Sequence, residues 1–243
     1  MLVIIAFFVL HWYTSIFTQS FFQHRYAAHG MFSMSPIMEK ITYIVSYITQ
    51  GSSYLNPYTY GIMHRLHHAH ADTDSDPHSP KFQKGMFRTM WSARKVYADI
   101  AHGKYPFAEK FKKGLPNWTK FDKFAVSWVS RALWGFAYIA VYIIFAPSPW
   151  FFLLLPVHFL MSPIHGVLIN YFSHKYGYRN FESEDTSTNY LPFDFLTMGE
   201  GYHNNHHKYG SRANFGGIRW HELDLTYVVI KRLNKWGLIE LKK

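Results

Sequence analysis

The longest uncharged stretches of this sequence occupy residues 1–24 and 132–174, and they set the expected architecture. A helix needs about 20 predominantly apolar residues to cross the hydrocarbon core of a bilayer. The first stretch holds one such segment, 2–22, and the second is long enough for two. A signal peptide is the alternative for 2–22, but the segment lacks a basic start and a small-residue cleavage site, so we predict a membrane helix.

The second uncharged stretch predicts a helical hairpin. We expect crossings at 124–145 and 151–172, joined by the proline-marked turn Ala146-Pro-Ser-Pro-Trp150. Trp150 would then lie at the membrane interface, where aromatic rings accumulate. The predicted fold class is therefore an all-α integral membrane protein with about three transmembrane helices.

A further apolar segment, 37–55, is interrupted by charged and polar side chains and separates two clusters of histidines. If both clusters serve one site, a crossing between them would place them on opposite sides of the bilayer. We therefore predict that this segment is interfacial or re-entrant. The whole chain, 1–243, is expected to form a single membrane domain, with a helical cytoplasmic cap built from 56–123 and 175–243.

Composition narrows the class further. Charged residues make up only 16% of the chain, against about 25% in soluble domains, and aromatic residues make up 20%. The absence of cysteine excludes disulfides, iron–sulfur clusters and thiolate-bound zinc. The net charge is +10, and all 25 Lys and Arg residues lie outside the two uncharged stretches. Basic loops beside uncharged spans indicate loops that face the cytoplasm, and not a nucleic-acid partner.

Nine of the sixteen histidines fall into four patterned elements. Two elements share the spacing i, i+3, i+4, which puts three imidazoles on one face of an α-helix. A third has the spacing i, i+5, which places its two histidines about 140° apart around an ideal helix. Both can serve one site only if the helix bends or frays there, or if they approach metals from different angles. In chain order the elements are His24-Arg-Tyr-Ala-Ala-His29, His64-Arg-Leu-His67-His68, Asn170-x-x-x-His174 and His203-Asn-Asn-His206-His207.

Nine imidazoles exceed the needs of one ion, since a zinc site takes about four ligands. Two metal ions of five- to six-fold coordination would use all nine together with water. Imidazole suits iron, zinc, copper and nickel alike, so the ligand type does not name the metal. The predicted ligands are His24, His29, His64, His67, His68, His174, His203, His206 and His207, with Asn170 acting through a metal-bound water.

Carboxylates are expected behind these imidazoles, because histidine ligands usually donate their other ring N–H to a carboxylate or carbonyl. The candidates are Asp72, Asp74, Asp76 and Glu200, although the three aspartates could also form a solvated acidic loop. Other histidines are assigned no metal role. We expect structural positions for His11, His102, His158 and His221, leave His70 and His78 open, and allow His165 to reach a substrate cavity.

Taken together, these motifs resemble the membrane fatty acid desaturase family, and in particular its acyl-CoA desaturase-like branch. The resemblance implies two iron ions, O2 as co-substrate, a cis double bond in a long-chain acyl group, and electrons from a small carrier such as cytochrome b5 or ferredoxin. It rests on HRYAAH at 24–29, HRLHH at 64–68, Asp76-Pro77-His78, Asn170-x-x-x-His174 followed by Gly177-Tyr178-Arg179, GEGYHNNHH at 199–207, and Arg219-Trp220-His221.

Two departures from the family pattern matter. The family usually has four crossings, so three would mean that this branch lacks the first helix or that the start of the sequence is trimmed. Animal acyl-CoA desaturases carry Arg-Asp just before the second box, where this chain has Ile62-Met63. The acyl carrier, CoA or a lipid or a carrier protein, therefore stays open.

Two other functions fit the same residues. One is hydroxylation of a fatty acyl, alkane or carotenoid substrate by the same iron pair, in which oxygen rebound replaces the second hydrogen abstraction. The other is a non-enzymatic metal-binding membrane protein. In each case we expect an integral membrane protein with its metal site on the cytoplasmic face, in a bacterial inner membrane or in the endoplasmic reticulum of a eukaryote.

Overall fold

Residues 1–242 are described by a computed structural model, and their architecture is almost entirely helical. The predicted all-α class is confirmed for this part of the chain. The first helix, α1, spans Leu2–Thr18 and continues without interruption as a π-helix over Gln19–Ala28. The later strands and α-helices are β1 Phe32–Met34, α2 Pro36–Gln50, α3 Pro57–His70, α4 Met86–Ala101, α5 Thr119–Ala125, α6 Trp128–Phe145, α7 Leu155–Phe159, α8 Met161–Gly166, α9 His203–Lys208, α10 Leu225–Lys235 and β2 Ile239–Leu241.

Length and apolar composition identify the helices fit to cross a bilayer. Leu2–Ala28 and α6 each qualify alone, and a third span exists if Pro149–Phe159 and Met161–His174, which meet at a bend of 69°, form one crossing. This agrees with the expected number of about three. Large apolar side chains point outward from these spans, as contact with lipid requires: Leu2, Ile5, Leu10, Leu133, Phe136, Ile143, Ile144 and Leu153.

The second crossing begins later than the predicted residue 124. Ser127 is extended and its side chain accepts a hydrogen bond from the backbone N–H of Ser130 at 3.2 Å, so it caps α6 at its first turn. The residues before this cap form the separate short helix α5. The hydrophobic pattern could not show this boundary, because apolar residues continue through it.

The third predicted crossing, 151–172, is not one straight helix. It consists of a 3₁₀ turn, α7, α8, a π-helical turn at Val167–Tyr171 and a last 3₁₀ turn that ends at His174. The helix breaks at Leu160, between α7 and α8. Pro163 contributes to the break because it has no N–H to offer the carbonyl four residues earlier. The freed Phe159 carbonyl accepts a hydrogen bond from Ser52 Oγ at 3.4 Å, which keeps that carbonyl satisfied inside the membrane region.

Helix α2 and the turn after it occupy the segment predicted to be interfacial or re-entrant. The helix runs antiparallel to the end of the first helix, and Gln23 Nε2 donates to Ser46 Oγ at 2.9 Å. The chain then turns back at Gly51, whose φ of 53° lies in the left-handed region. Tyr138 packs against this turn so closely that a Cβ on Gly51 would lie 1.7 Å from its hydroxyl. The return leads directly into α3.

The cap is less helical than expected. The stretch 175–202 is irregular and is held by side chains that bond to the backbone. Asp194 shows how, since its carboxylate accepts from the backbone N–H groups of Thr197, Gly199 and Gly201 at 2.7–2.9 Å. Such local bonds compete with helix formation. At the other end, β2 pairs with β1 and anchors the C-terminal residues beside the exit of the first helix.

Candidate metal centre

All nine predicted histidines converge in the structure, and they form two groups. Within each group the ring nitrogens lie within 4.8 Å of one another. The five-histidine cluster contains His24, His29, His64, His68 and His206. The four-histidine cluster contains His67, His174, His203 and His207.

Short contacts between Nε2 atoms define each cluster. In the five-histidine cluster, His206 Nε2 lies 3.0 Å from His24 Nε2 and 2.9 Å from His68 Nε2. In the four-histidine cluster, the Nε2 atoms of His174 and His203 are 3.1 Å apart. His67 Nε2 and His207 Nε2 are 3.3 Å apart. Imidazole nitrogens gathered this closely form a donor set that fits a cation.

The π-helix solves the problem of the first histidine box. The backbone N–H of His29 bonds to the carbonyl of His24 at 3.1 Å, an i→i+5 bond. Such a bond stacks residue i+5 over residue i, so the two imidazoles that an α-helix would hold about 140° apart share one face. The π-helix is rare and occurs frequently at functional sites.

Each H-x-x-H-H box serves both clusters. On α3, the i, i+4 pair His64 and His68 enters the five-histidine cluster, whereas His67 enters the other. On α9, His203 and His207 enter the four-histidine cluster and His206 enters the other. The i, i+4 pair of each box therefore belongs to one cluster, while its third histidine belongs to the neighbouring cluster.

Burial favours the neutral form of six of these imidazoles. Removal from water is the main cause that lowers their pKa, and the charge that neighbouring imidazolium rings would add is the second. The pKa falls well below the ordinary value for His29, His64, His67, His68, His203 and His206. Neutral imidazole is the form that binds metal. The residues present therefore fit a pair of metal ions.

Three of the four predicted carboxylates lie behind the imidazoles. Asp76 accepts from His67 Nδ1 at 2.9 Å, and Asp72 contacts His174 Nδ1 at 3.3 Å. Glu200 pairs with His24 Nδ1. Asp74 was expected to do the same, but it is exposed and contacts no histidine in the described part of the chain. It lies at the outer edge of the loop, where a carboxylate stays hydrated.

Asp185 is a carboxylate that sequence reasoning missed. Its Oδ2 lies 2.7 Å from His207 Nδ1. Desolvation would raise the pKa of Asp185, but the hydrogen bond and charge of His207 outweigh that effect and hold the pKa below its ordinary range. The residue belongs to an acidic run, 182–185, that has no regular spacing from any histidine box. Only folding of the irregular segment brings it to the site.

Glu200 connects the metal site to a buried ion network. Burial would raise its pKa, but His24 and Arg25 outweigh that effect and lower it to about 2. Arg25 is fully buried and bonds to Glu200 and, at 2.7 Å, to Asp224. Its guanidinium also stacks on the Phe215 ring, 3.8 Å from the centroid. His24 is thereby fixed in orientation by charges that no spacing rule connects to it.

A family model described as "Fatty acid desaturase" matches this chain over residues 1–239. The chain belongs to the fatty acid desaturase family. It is therefore an oxidoreductase of lipid metabolism, and its apolar helices fit a membrane protein.

Curated relatives of this desaturase differ in the carrier of the acyl group. It is 29% identical over 235 residues to the sn-1 stearoyl-lipid 9-desaturase of Anabaena variabilis, covering 95% of this chain and 80% of the relative. It is 28% identical over 233 residues to the acyl-CoA C20 Δ5-desaturase of Anemone leveillei, covering 95% and 70%. It is 28% identical over 250 residues to the hex-5-enoyl-[acyl-carrier protein] acetylenase of Moorena producens, covering 94% and 73%.

The remaining candidates occupy less central positions. Asn170 lies on the π-helical turn that leads to His174, and its role through a metal-bound water stays a prediction. His165 is held by Gln19 at 2.9 Å and by the edge of Trp12, so it packs between helices. His11 and His158 likewise join two membrane helices through a contact of 2.6 Å. His78, which the sequence left open, stacks on His67 with ring centroids 4.2 Å apart.

Proposed function

We propose that this desaturase uses two iron ions and O2 to introduce a cis double bond into a long-chain acyl group. The arrangement of five and four imidazoles in adjacent clusters carries the proposal. The bound iron pair would supply the O2-dependent removal of hydrogen atoms from two neighbouring methylene carbons. Unactivated C–H bonds resist acid–base attack, so a metal-bound oxidant is what this chemistry requires.

The chain's own residues would prepare this centre. Four carboxylates accept hydrogen bonds from Nδ1 atoms, so the corresponding rings keep a neutral tautomer with Nε2 turned inward: Glu200, Asp76, Asp72 and Asp185. Outer-shell partners of this kind orient ligands and raise their basicity. Asn170, one turn before His174, would hold a water on the four-histidine side.

We propose a lipid-linked acyl group as the substrate. Ile62 and Met63 stand where animal acyl-CoA enzymes carry a charged pair, and both are buried in an apolar cluster with Leu66 and Ile100. These positions face the protein interior, so they cannot contact CoA. The similarity to a stearoyl-lipid 9-desaturase agrees with this carrier, at about the same identity as the similarity to acyl-CoA and acyl-carrier-protein relatives.

We also propose which side of the membrane the metal centre faces and how electrons reach it. The polar cap carries the excess of Lys and Arg that produces the net charge of +10, and positive loops favour the cytoplasmic face. The two histidine clusters include ligands from α3 and α9, which belong to the predicted cap. A small electron carrier of the cytochrome b5 or ferredoxin type would then reach the site from the cytoplasm.

Expression in a host that lacks its own desaturase tests the proposal. Lipid analysis should show acyl chains lighter by two hydrogens, and the His206→Ala variant should show none, whereas His102→Ala on the exposed end of α4 should match the wild type. Chains heavier by one oxygen would instead identify a hydroxylase. Absence of O2-dependent turnover in metal-loaded protein would favour the non-enzymatic metal-binding class.

A further inference from the structure

The two histidine clusters differ in how many of their imidazoles rest on a carboxylate. In the four-histidine cluster, three of the four Nδ1 atoms face an aspartate, at 2.9 Å for His67, 3.3 Å for His174 and 2.7 Å for His207. The fourth, His203 Nδ1, is buried without a partner among the described residues. The four-histidine cluster is thus oriented almost completely from behind.

The five-histidine cluster has only one such support. His24 faces Glu200, whereas the buried Nδ1 of His206 has no partner in residues 1–242. His29, His64 and His68 make no Nδ1 hydrogen bond there either. Four of its five imidazoles therefore have no carboxylate behind the ring among the described residues.

The net negative charge behind the imidazoles is also larger for the four-histidine cluster than for the five-histidine cluster. Glu200 is shared with the guanidinium of Arg25, so its negative charge is largely neutralised within the protein. Asp72 and Asp76 have no Lys or Arg ion pair among the described residues, and Asp185 has only the half-exposed Arg179 at 3.8 Å. A divalent cation in the four-histidine cluster therefore meets a more negative environment.

We infer that the four-histidine cluster binds a divalent ion more tightly than the five-histidine cluster and fills first. The inference rests on the proposed two-metal centre and adds an order of loading to it. Carboxylates behind the ligands act twice, since they hold the rings ready for the ion and add attraction for its charge. The opposing effect is the extra imidazole of the five-histidine cluster, which would favour the reverse order.

Cobalt titration of the metal-free full-length protein in detergent tests the order directly. Co²⁺ reports its coordination in the visible spectrum, and two single-cluster variants provide reference spectra. His68→Ala damages the five-histidine cluster, and His207→Ala damages the four-histidine cluster. One equivalent of Co²⁺ on the wild type should give the His68→Ala spectrum, because both then hold the ion among the four histidines. A match to His207→Ala would overturn the inference.

A charge-removing variant tests the cause. Asp185→Asn keeps the size of the side chain but removes one carboxylate behind the four-histidine cluster, and it should weaken the tighter Co²⁺ affinity by about 10–100-fold. The weaker affinity should stay unchanged. Asp74→Asn is the matched control, because it removes an exposed carboxylate of the neighbouring loop that contacts no histidine. Equal effects of the two variants would refute the role of the buried carboxylates.

The titration also separates this inference from the proposed function. Two equivalents bound with equal affinity would leave the two-metal centre intact and refute the order of loading. Failure to bind two equivalents in a folded wild type, checked by circular dichroism, would refute the centre itself. If Asp185→Asn does not fold, the comparison of one-equivalent spectra still decides the order without it.

Discussion

At the scale of single residues, the site depends on which ring nitrogen of each histidine is occupied. Hydrogen bonds to carboxylates occupy Nδ1 of four ligands, so Nε2 remains free and points inward. Among these four, burial lowers the pKa of His67 and of His207, which favours the neutral ring. Histidine type and spacing predicted which imidazoles gather, but their orientation comes from carboxylates distant in sequence.

Arg25 is the residue whose loss should destabilise the fold most. It is fully buried between Glu200 and Asp224, so Arg25→Met leaves two carboxylates without their cation. Breaking a buried ion pair from one side costs about 3–5 kcal/mol. Denaturant unfolding in detergent should show a loss of that order. Arg88→Met, on the exposed side of α4, is the control and should change stability little; equal losses would contradict the network.

At the scale of elements, two irregular helices do what ideal helices could not. The π-helix after α1 brings the i, i+5 histidines to one face, and the broken third span places His174 beside α9. Helical periodicity predicted the two H-x-x-H-H boxes well, because they lie on ordinary α-helices. It could not predict a π-helix or a 69° bend, since both depend on bonds made to other segments.

The turn at Gly51 allows a test of how closely neighbouring elements pack. Gly51→Ala places a Cβ against the Tyr138 hydroxyl in addition to the cost of about 1–2 kcal/mol for a left-handed non-glycine residue. Gly114→Ala also puts an alanine at a positive φ, 71°, but its Cβ meets no atom within 4 Å. Thermal unfolding should therefore show a larger fall for Gly51→Ala, by a further ~1–3 kcal/mol. Equal falls would show that Tyr138 does not constrain the turn.

Helix α5 should give the protein a pH-dependent stability. Burial raises the pKa of Asp122 to about 6 from an ordinary value of 3.8, against the hydrogen bond from Tyr54. The folded state holds this proton more tightly, so the contribution is complete below about pH 4 and is lost as pH rises through 6. A displacement of this size is worth up to about 3 kcal/mol.

The measurement compares thermal midpoints of the wild type and Asp122→Asn from pH 4 to pH 7. The wild type should lose stability relative to the variant across this window, because an asparagine cannot ionise. Asp74→Asn controls for general effects of charge, since Asp74 is exposed. A constant difference between wild type and Asp122→Asn at every pH would show that Asp122 titrates normally.

At the scale of the whole molecule, four segments that are far apart in sequence meet at one site. They come from the end of the first helix, from α3, from the last turn of the broken span and from α9. Their convergence requires that the re-entrant segment returns to the side where it began. The same requirement places the hairpin turn near Trp150 on the opposite side from the clusters.

Cysteine labelling can check that arrangement, because the sequence contains no cysteine of its own. Ser148→Cys in the hairpin turn and Lys104→Cys in the exposed loop after α4 introduce single reporters on the two predicted sides. A membrane-impermeant maleimide added to intact cells should label only the Ser148→Cys protein, and lysis should expose the other. Labelling of both from one side would contradict the topology.

The sequence by itself determined which histidines are the candidate ligands and that the chain contains helices apolar enough to cross a membrane. Uncharged stretches and histidine spacing are local patterns, so they can be recognised without knowledge of the contacts between distant segments. Only the tertiary structure decided how the nine histidines divide into five and four, and why Asp185 belongs to the site while Asp74 does not. Those outcomes depend on contacts between distant segments, on a π-helical hydrogen bond and on a proline break, and none of these has a fixed spacing along the chain.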